Sequence, residues 1–195
     1  MPLLVKICGI TRWEDARAAL DAGADALGFV FAPRSPRCLS PADAAAITRR
    51  LPASVLTVGV FVNAAAPELQ SVRSTCHLDI LQLHGDESPA FCSSLGGHVW
   101  KAFRVQSADS LRALPGYTTD AWLLDSYVPG QSGGTGAVFN WDLAAQAILL
   151  GRPCLLAGGL TPDNVAEAVR AVRPFGVDVS SGVELAPGRK DPDRV

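Results

Sequence analysis

The sequence has few histidines, no C-x-x-C pair, no long apolar segment and no long basic run, and each of these absences disfavours one class of protein. It contains three histidines, and its five cysteines include no C-x-x-C pair, so a zinc site and a disulfide framework are both disfavoured. No apolar segment approaches the roughly 20 residues of a membrane-spanning helix. No basic run exceeds two residues, and the formal net charge is −2, so nothing favours nucleic acid or an anionic membrane. We therefore expect no metal, no membrane and no nucleic-acid partner.

The start of the chain also lacks a positively charged segment ahead of an apolar one, which argues against a signal peptide. An odd number of cysteines suits a reducing compartment better than an oxidising one. Both features predict a cytoplasmic protein.

Strand-like and helix-like segments alternate along the whole chain. Most of the strand segments are continuous apolar runs, which are typical of parallel strands buried on both faces. The predicted strands are 3–8, 25–31, 55–62, 78–83, 98–104, 120–125, 153–157 and 175–179, and the predicted helices are 12–22, 41–51, 67–75, 88–95, 107–114, 141–150 and 162–172. Because a doubly wound sheet usually has fewer strands, this pattern predicts a closed (β/α)8 barrel formed by residues 1–195 as one domain.

Several residues mark the helix ends. Thr11 followed by Glu14 predicts a capping box at the first helix. Ser40-Pro41 and Thr161-Pro162 predict helix starts with proline in the first turn, and Gly23 predicts a helix end.

The chain departs from the barrel pattern after the eighth strand. Residues 191–195 resemble the opening turn of a helix, so we expect the final outer helix to be truncated. Such a helix would cover the outward side chains of the first and last strands. The truncation therefore predicts an apolar groove at Val5, Ile7, Val177 and Val179.

Polar side chains stand at the ends of several predicted strands, where barrel enzymes keep their chemistry. Cys8 ends the first strand and shares a face with Lys6, whose positive charge favours a thiolate. A buried structural cysteine is the alternative interpretation of Cys8. Asp125 ends the sixth strand, and Asp178 lies near the end of the eighth, where it can accept a ligand hydroxyl.

Two glycine- and serine-containing loops follow the seventh and eighth strands, the place where barrels often bind a phosphate. Glycine lets the backbone approach a ligand closely, and the N–H groups of a following helical turn attract an anion. The phosphate-binding residues predicted on this basis are Gly158, Gly159, Ser180, Ser181 and Gly182.

Three further features are candidate parts of the same site. Arg37 lies in a proline-stiffened loop that can hold its guanidinium toward a carboxylate. The longest connection contains Gly133, Gly134 and Gly136 and is interpreted as a lid. His84 is interpreted as a wall or core residue with no proton-transfer role.

With these residues assembled, the chain resembles the phosphoribosylanthranilate isomerase family, barrel enzymes of tryptophan biosynthesis. The segments that carry the resemblance are KICGIT at 6–11, GADALGFVF at 23–31, SPR at 35–37, VGVFVN at 58–63, LQLHG at 81–85, LLD at 123–125, GGTG at 133–136, AGGL at 157–160 and VDVSSGVE at 177–184. They follow one another in order across nearly the whole chain.

The resemblance implies a cofactor-free enzyme that converts N-(5-phosphoribosyl)anthranilate to 1-(2-carboxyphenylamino)-1-deoxyribulose 5-phosphate by an Amadori rearrangement. It implies that Cys8 is the general base, that Asp125 is the general acid and that Arg37 meets the anthranilate carboxylate. The two loops would hold the phosphate. A monomer or a homodimer is expected.

Two other functions remain open at this point. A related sugar-phosphate barrel, such as a ribulose-phosphate epimerase or the histidine-pathway isomerase, would use similar phosphate loops. The epimerase needs a metal with His and Asp ligands. By resemblance, the histidine-pathway isomerase has an Asp at the position where this chain has Cys8. A non-catalytic barrel that binds a phosphorylated ligand is the alternative from another class.

Overall fold

Eight parallel strands close into a barrel in the computed structural model, which describes residues 3–125 and 141–195. Each strand pairs with the next one along the chain, and β1 pairs with β8 to close the barrel. The strands are β1 (Leu4–Cys8), β2 (Ala26–Val30), β3 (Leu56–Phe61), β4 (Ile80–Leu83), β5 (His98–Arg104), β6 (Ala121–Asp125), β7 (Cys154–Ala157) and β8 (Gly176–Val179). The predicted barrel is confirmed, and every strand begins and ends within two residues of its predicted bounds.

Helices connect most of the strands on the outside of the barrel. They are α1 (Trp13–Asp21), α2 (Pro41–Thr48), α3 (Ala66–Cys76), α4 (Pro89–Ser94), α5 (Trp141–Ile148) and α6 (Val165–Val172). The segment Ala108–Gly116 between β5 and β6, predicted as an α-helix, is a 3-10 helix. It contains Pro115, whose ring nitrogen cannot donate the backbone hydrogen bond that an α-helix needs there.

The helix ends follow local sequence signals only in part. Ser40 caps α2 as predicted, because its side chain accepts a hydrogen bond from the Asp43 N–H. The capping box at Thr11 is wrong, since Arg12 is the N-cap residue of α1 and the Thr11 hydroxyl donates to the carbonyl of Gly188. Helix α6 likewise begins later than predicted, with Asn164 as its N-cap residue.

The side-chain alternation of the strands separates two layers of apolar packing. Val58, Ile80, Leu123 and Leu155 are among the buried side chains that fill the barrel. Side chains of opposite parity, such as Leu81, pack beneath the helices. These buried side chains make the interior of the barrel a packed core. Full burial of each large apolar side chain stabilises the fold by about 1.5–3 kcal/mol. Among the described residues, no helix is both long enough and apolar enough to cross a membrane.

Residues after β8 fold back over the edge of the barrel. They form a 3-10 turn (Ser181–Val183) and a short antiparallel hairpin of β9 (Glu184–Ala186) and β10 (Arg189–Lys190). The hairpin is tied to the start of α1, because the Lys190 N–H donates to the Asp15 carboxylate. The N–H groups of Arg194 and Val195 both donate to the carbonyl of Asp191, which gives the expected helical turn at residues 191–195.

This return of the chain changes the expected apolar groove. Ile7 and Val177 are only 2% and 4% exposed, so the prediction that all four side chains are uncovered is wrong. Val5 and Val179 are half-buried. Val195 packs against the same apolar cluster that contains Ile7, and this contact helps to cover the region that the sequence predicts to be open.

Candidate active site

Cys8 lies inside the mouth of the barrel, in a cluster of buried charged groups. Its neighbour on the same face of β1 is Lys6, which is fully buried and donates a hydrogen bond of 2.7 Å to the Asp178 carboxylate of β8. The strand register explains this contact, because Lys6 and Asp178 are paired across β1 and β8. An isolated buried charge would be costly, and this ion pair offsets that cost beside the thiol.

Two effects of its surroundings act in opposite directions on the pKa of Cys8. Burial raises the pKa of the Cys8 thiol, and the positive charge of Lys6 offsets only part of this effect, so the pKa stays above its ordinary value. Burial would lower the pKa of Lys6, but the Asp178 carboxylate and Cys8 outweigh burial and raise it. Lys6 therefore favours the thiolate, as the sequence predicts, without making Cys8 an acidic thiol.

Asp125 ends β6 and is contacted by His84, the residue that follows β4. Nε2 of His84 lies 3.2 Å from Oδ2 of Asp125, and Nδ1 of His84 lies 3.4 Å from the side-chain amide nitrogen of Gln82. In the tautomer in which Nδ1 accepts from that amide nitrogen, Nε2 carries the proton and donates to Asp125. His84 thus contacts a candidate catalytic group, which its interpretation as a wall or core residue did not anticipate.

Arg37 reaches the mouth of the barrel from the connection between β2 and α2. Its guanidinium forms a two-pronged ion pair with Glu184, in which Nε lies 2.8 Å from Oε1. The side-chain stem lies over the turn after Cys8, since a Cβ built on Gly9 would be 2.5 Å from Cδ of Arg37 and 2.9 Å from Oγ of Ser180. Gly9 has a φ of +77°, so both its conformation and its close neighbours require glycine.

The ion pair of Arg37 sets the charge of Glu184. Burial would raise the pKa of this carboxyl, but hydrogen bonds from Arg37 and Lys190 outweigh burial and lower it. Glu184 is therefore ionised and fixes two of the three guanidinium nitrogens of Arg37.

The two predicted phosphate loops lie side by side. Gly158 and Gly159 both have positive φ, and nothing lies within 4 Å of a Cβ built on Gly159, so this backbone is open to a ligand. Ser181 is exposed at the start of the 3-10 turn after β8. The loops touch at Gly182, where a Cβ would lie only 1.8 Å from the carbonyl oxygen of Leu160.

Asn164, which the sequence analysis missed, braces the first of these loops. Its Oδ1 accepts from the Thr161 N–H at 2.9 Å, and its Nδ2 donates to the carbonyl of Gly159 at 2.9 Å. The only sequence signal for this role was an Asn at the start of a helix, which by itself predicts no more than a cap.

Gly133, Gly134 and Gly136 of the predicted lid lie outside the described residues. Across residues 3–125 and 141–195, no group of three or more His, Cys, Asp and Glu side chains is arranged to hold a metal ion.

Comparisons with known proteins agree on one family. The family model described as N-(5'-phosphoribosyl)anthranilate isomerase matches residues 5–195. A protein of that name from Citrifermentans bemidjiense is 58% identical over 191 residues, which are 98% of this chain and 92% of the relative. A crystal structure of phosphoribosylanthranilate isomerase in complex with reduced 1-(o-carboxyphenylamino)-1-deoxyribulose 5-phosphate superposes with a TM-score of 0.90 at 42% identity, over 99% of this chain and 94% of that one. A structure of monomers generated from the dimeric enzyme of Thermotoga maritima gives a TM-score of 0.89 at 42% identity, with the same coverage.

Proposed function

The chain belongs to the N-(5'-phosphoribosyl)anthranilate isomerase family of tryptophan biosynthesis, and from this membership we propose that Cys8 is the general base and Asp125 the general acid of its reaction. The substrate class is a phosphorylated sugar joined to an aromatic amine that carries a carboxylate. No atoms are gained or lost in the isomerisation, so one acid and one base suffice.

Asp125 delivers the first proton. It protonates the ring oxygen of the ribose, the bond between that oxygen and C1 breaks, and the amine nitrogen forms a double bond to C1. The hydrogen bond from His84 to Oδ2 supports this role, because it orients the carboxyl group at the end of β6.

Cys8 takes the second proton. Its thiolate removes the hydrogen of C2, and the electron pair moves into a C1–C2 double bond and neutralises the nitrogen. The resulting enol then becomes the ketone at C2, as its hydroxyl loses a proton and C1 gains one. Lys6 supports the thiolate electrostatically, because its positive charge lowers the pKa of the Cys8 thiol against the effect of burial.

Recognition of the two anionic ends of the substrate completes the proposal. Gly158, Gly159, Ser180, Ser181 and Gly182 hold the phosphate through backbone and hydroxyl groups of the two adjacent loops. Arg37 meets the aromatic carboxylate with the edge of its guanidinium that Glu184 does not occupy.

The hydroxyl groups of the sugar require an acceptor in the middle of the site. We assign this role to Asp178, whose carboxylate faces the barrel mouth and is fixed by Lys6. The predicted lid with Gly133, Gly134 and Gly136 stays part of the proposal. So do the one-domain organisation of residues 1–195, the cofactor-free reaction, the cytoplasmic location and the monomeric or homodimeric state.

The placement of Cys8, Asp125 and both loops at the C-terminal end of one barrel carries this proposal. Turnover of freshly prepared phosphoribosylanthranilate tests it. Cys8→Ala and Asp125→Asn are each expected to lower kcat by about 10²–10⁴-fold with little change in KM, the usual effect of losing a positioned acid or base. Full activity in either variant would remove that residue from the mechanism.

A further inference from the structure

Lys190 reaches the active site from the hairpin beyond the last barrel strand. Although the hairpin is at the surface, Lys190 is fully buried. Its ammonium group donates to the carbonyl of Cys8 at 2.6 Å, to the carbonyl of Ser180 at 3.1 Å and to Oε1 of Glu184 at 2.9 Å. A lysine has three such hydrogens, so the three acceptors account for all of them.

The first two acceptors lie where β1 and β8 separate. The register of this strand pair ends at Ile7 and Val179, and Cys8 and Ser180 are the next residues of the two strands. At this point both carbonyls bond to the Lys190 ammonium. Lys190 therefore joins the strand that carries the thiol to the loop that begins the second phosphate-binding segment.

The third acceptor extends the connection to the other end of the substrate. Glu184 bonds to Lys190 with one oxygen and to Arg37 with both, so the charges alternate from Lys190 to Glu184 to Arg37. The backbone of Lys190 is fixed as well, because its N–H donates to Asp15 of α1.

We propose that Lys190 is a positioning residue for the isomerisation, which fixes the thiol-bearing end of β1, the start of the phosphate loop and the Glu184–Arg37 pair relative to one another. This inference rests on the roles proposed above for Cys8, Arg37 and the loops. It assigns Lys190 no contact with the substrate.

Lys190→Met tests the proposal, since methionine has similar length and no hydrogen-bond donor. We expect kcat/KM to fall by about 10²-fold, the typical effect of misplacing catalytic groups by about 1 Å. Inorganic phosphate should also compete more weakly with the substrate, because the second loop loses its tie to β1.

A second readout follows the thiol itself. The rate at which iodoacetamide alkylates Cys8 is measured against pH by peptide mass spectrometry. The charged groups that act on this thiol are Lys6, Asp178, Arg37 and Lys190. The positive charge of Lys190 stabilises the thiolate, so its loss should move the alkylation curve to higher pH.

Lys101→Met is the matched control. Lys101 is also a buried lysine, and it pairs with Glu87 at 3.1 Å and donates to the carbonyls of Leu83, Gly85 and Ala102. It lies away from β1 and β8. This variant should lose stability in the same way, yet leave the Cys8 alkylation curve and the phosphate competition unchanged.

A purely structural role would make the two lysine variants alike. If Lys190→Met lowers the melting temperature but leaves both the alkylation curve and the phosphate competition at wild-type values, the proposal is wrong. Where Lys190→Met does not fold, Lys190→Gln serves instead. Its amide can still donate to the carbonyls, so it should retain more of the phosphate competition while still shifting the alkylation curve.

Failure of this inference can be told apart from failure of the proposed function. Alkylation of Cys8 does not require turnover, so it reports on Lys190 even if Cys8→Ala proves fully active. Conversely, an inactive Cys8→Ala together with wild-type behaviour of both Lys190 variants would overturn only the role of Lys190.

Discussion

Gly182 offers the sharpest test of the proposed phosphate site, because one methyl group placed there should separate the two loops. A Cβ at this position would lie 1.8 Å from the carbonyl oxygen of Leu160, whereas real Cβ atoms essentially never approach another atom within 3.0 Å. The two loops must therefore move apart by about 1.2 Å or more in Gly182→Ala. Gly182 does not have a positive φ, so alanine suits its backbone and the effect is steric alone.

The size of this displacement sets the expected effect. A shift of about 1 Å in a positioned group costs roughly 10²-fold in activity, and we expect a loss of that order in kcat/KM. Overpacking should also lower the stability by about 1–3 kcal/mol. Most of the kinetic loss should appear as a higher KM and as weaker inhibition by inorganic phosphate, because the proposed contacts of the loops with the phosphate would be the same in the ground state and the transition state.

Steady-state kinetics with phosphate as competitor measure both quantities. Gly116→Ala is the control, since the nearest atom to its Cβ is 3.8 Å away and the residue lies far from both loops in the chain. A folded Gly182→Ala enzyme with wild-type KM and wild-type phosphate inhibition would show that the two loops are not the phosphate site.

Two further predictions concern the other ends of the substrate. Arg37→Ala should mainly weaken binding of product analogues that carry the aromatic carboxylate, and an analogue without that group should bind the variant and the wild type equally; unequal binding would contradict the assignment. The buried thiol has a raised pKa, so kcat/KM should rise with pH as Cys8 ionises, and Lys6→Met should move this rise to higher pH while Asp178→Asn moves it to lower pH. A pH profile of kcat/KM checks the sign, and shifts in the same direction for both variants would rule out Cys8 as the titrating base.

The sequence predicts the barrel well because the pattern of apolar residues that indicates each strand lies within the strand itself. A run such as Leu56–Phe61 is apolar at nearly every position, and only a strand covered on both faces requires this. The alternation of side chains along each strand then places Cys8, Asp125 and Asp178 toward the barrel interior, without any knowledge of tertiary contacts. The same local reasoning is wrong at Thr11, whose hydroxyl bonds to a carbonyl 177 positions away and not to its own helix.

The parts of the site that sequence reasoning missed depend on distant contacts. The partner of Arg37 is 147 positions away, and it lies on a short hairpin whose residues show neither helical nor strand periodicity. Lys190 stands next to Arg189 in an otherwise polar segment, where a buried lysine has no distinguishing pattern. His84 was visible at a strand end, but only the closed barrel brings its ring to Asp125, 41 positions later.

The contact between Lys190 and the carbonyl of Cys8 spans 182 positions, and the strand pair that closes the barrel spans nearly as many. Closing such a long loop is entropically costly, and contacts of this separation form late and slowly. During synthesis, β1 leaves the ribosome well before β8 and the hairpin, because most of the barrel lies between them in the chain. Until β8 has been made, the edge of β1 that later pairs with it stays open, and the Cys8 thiol gains its buried charged surroundings only once Lys190 has been added.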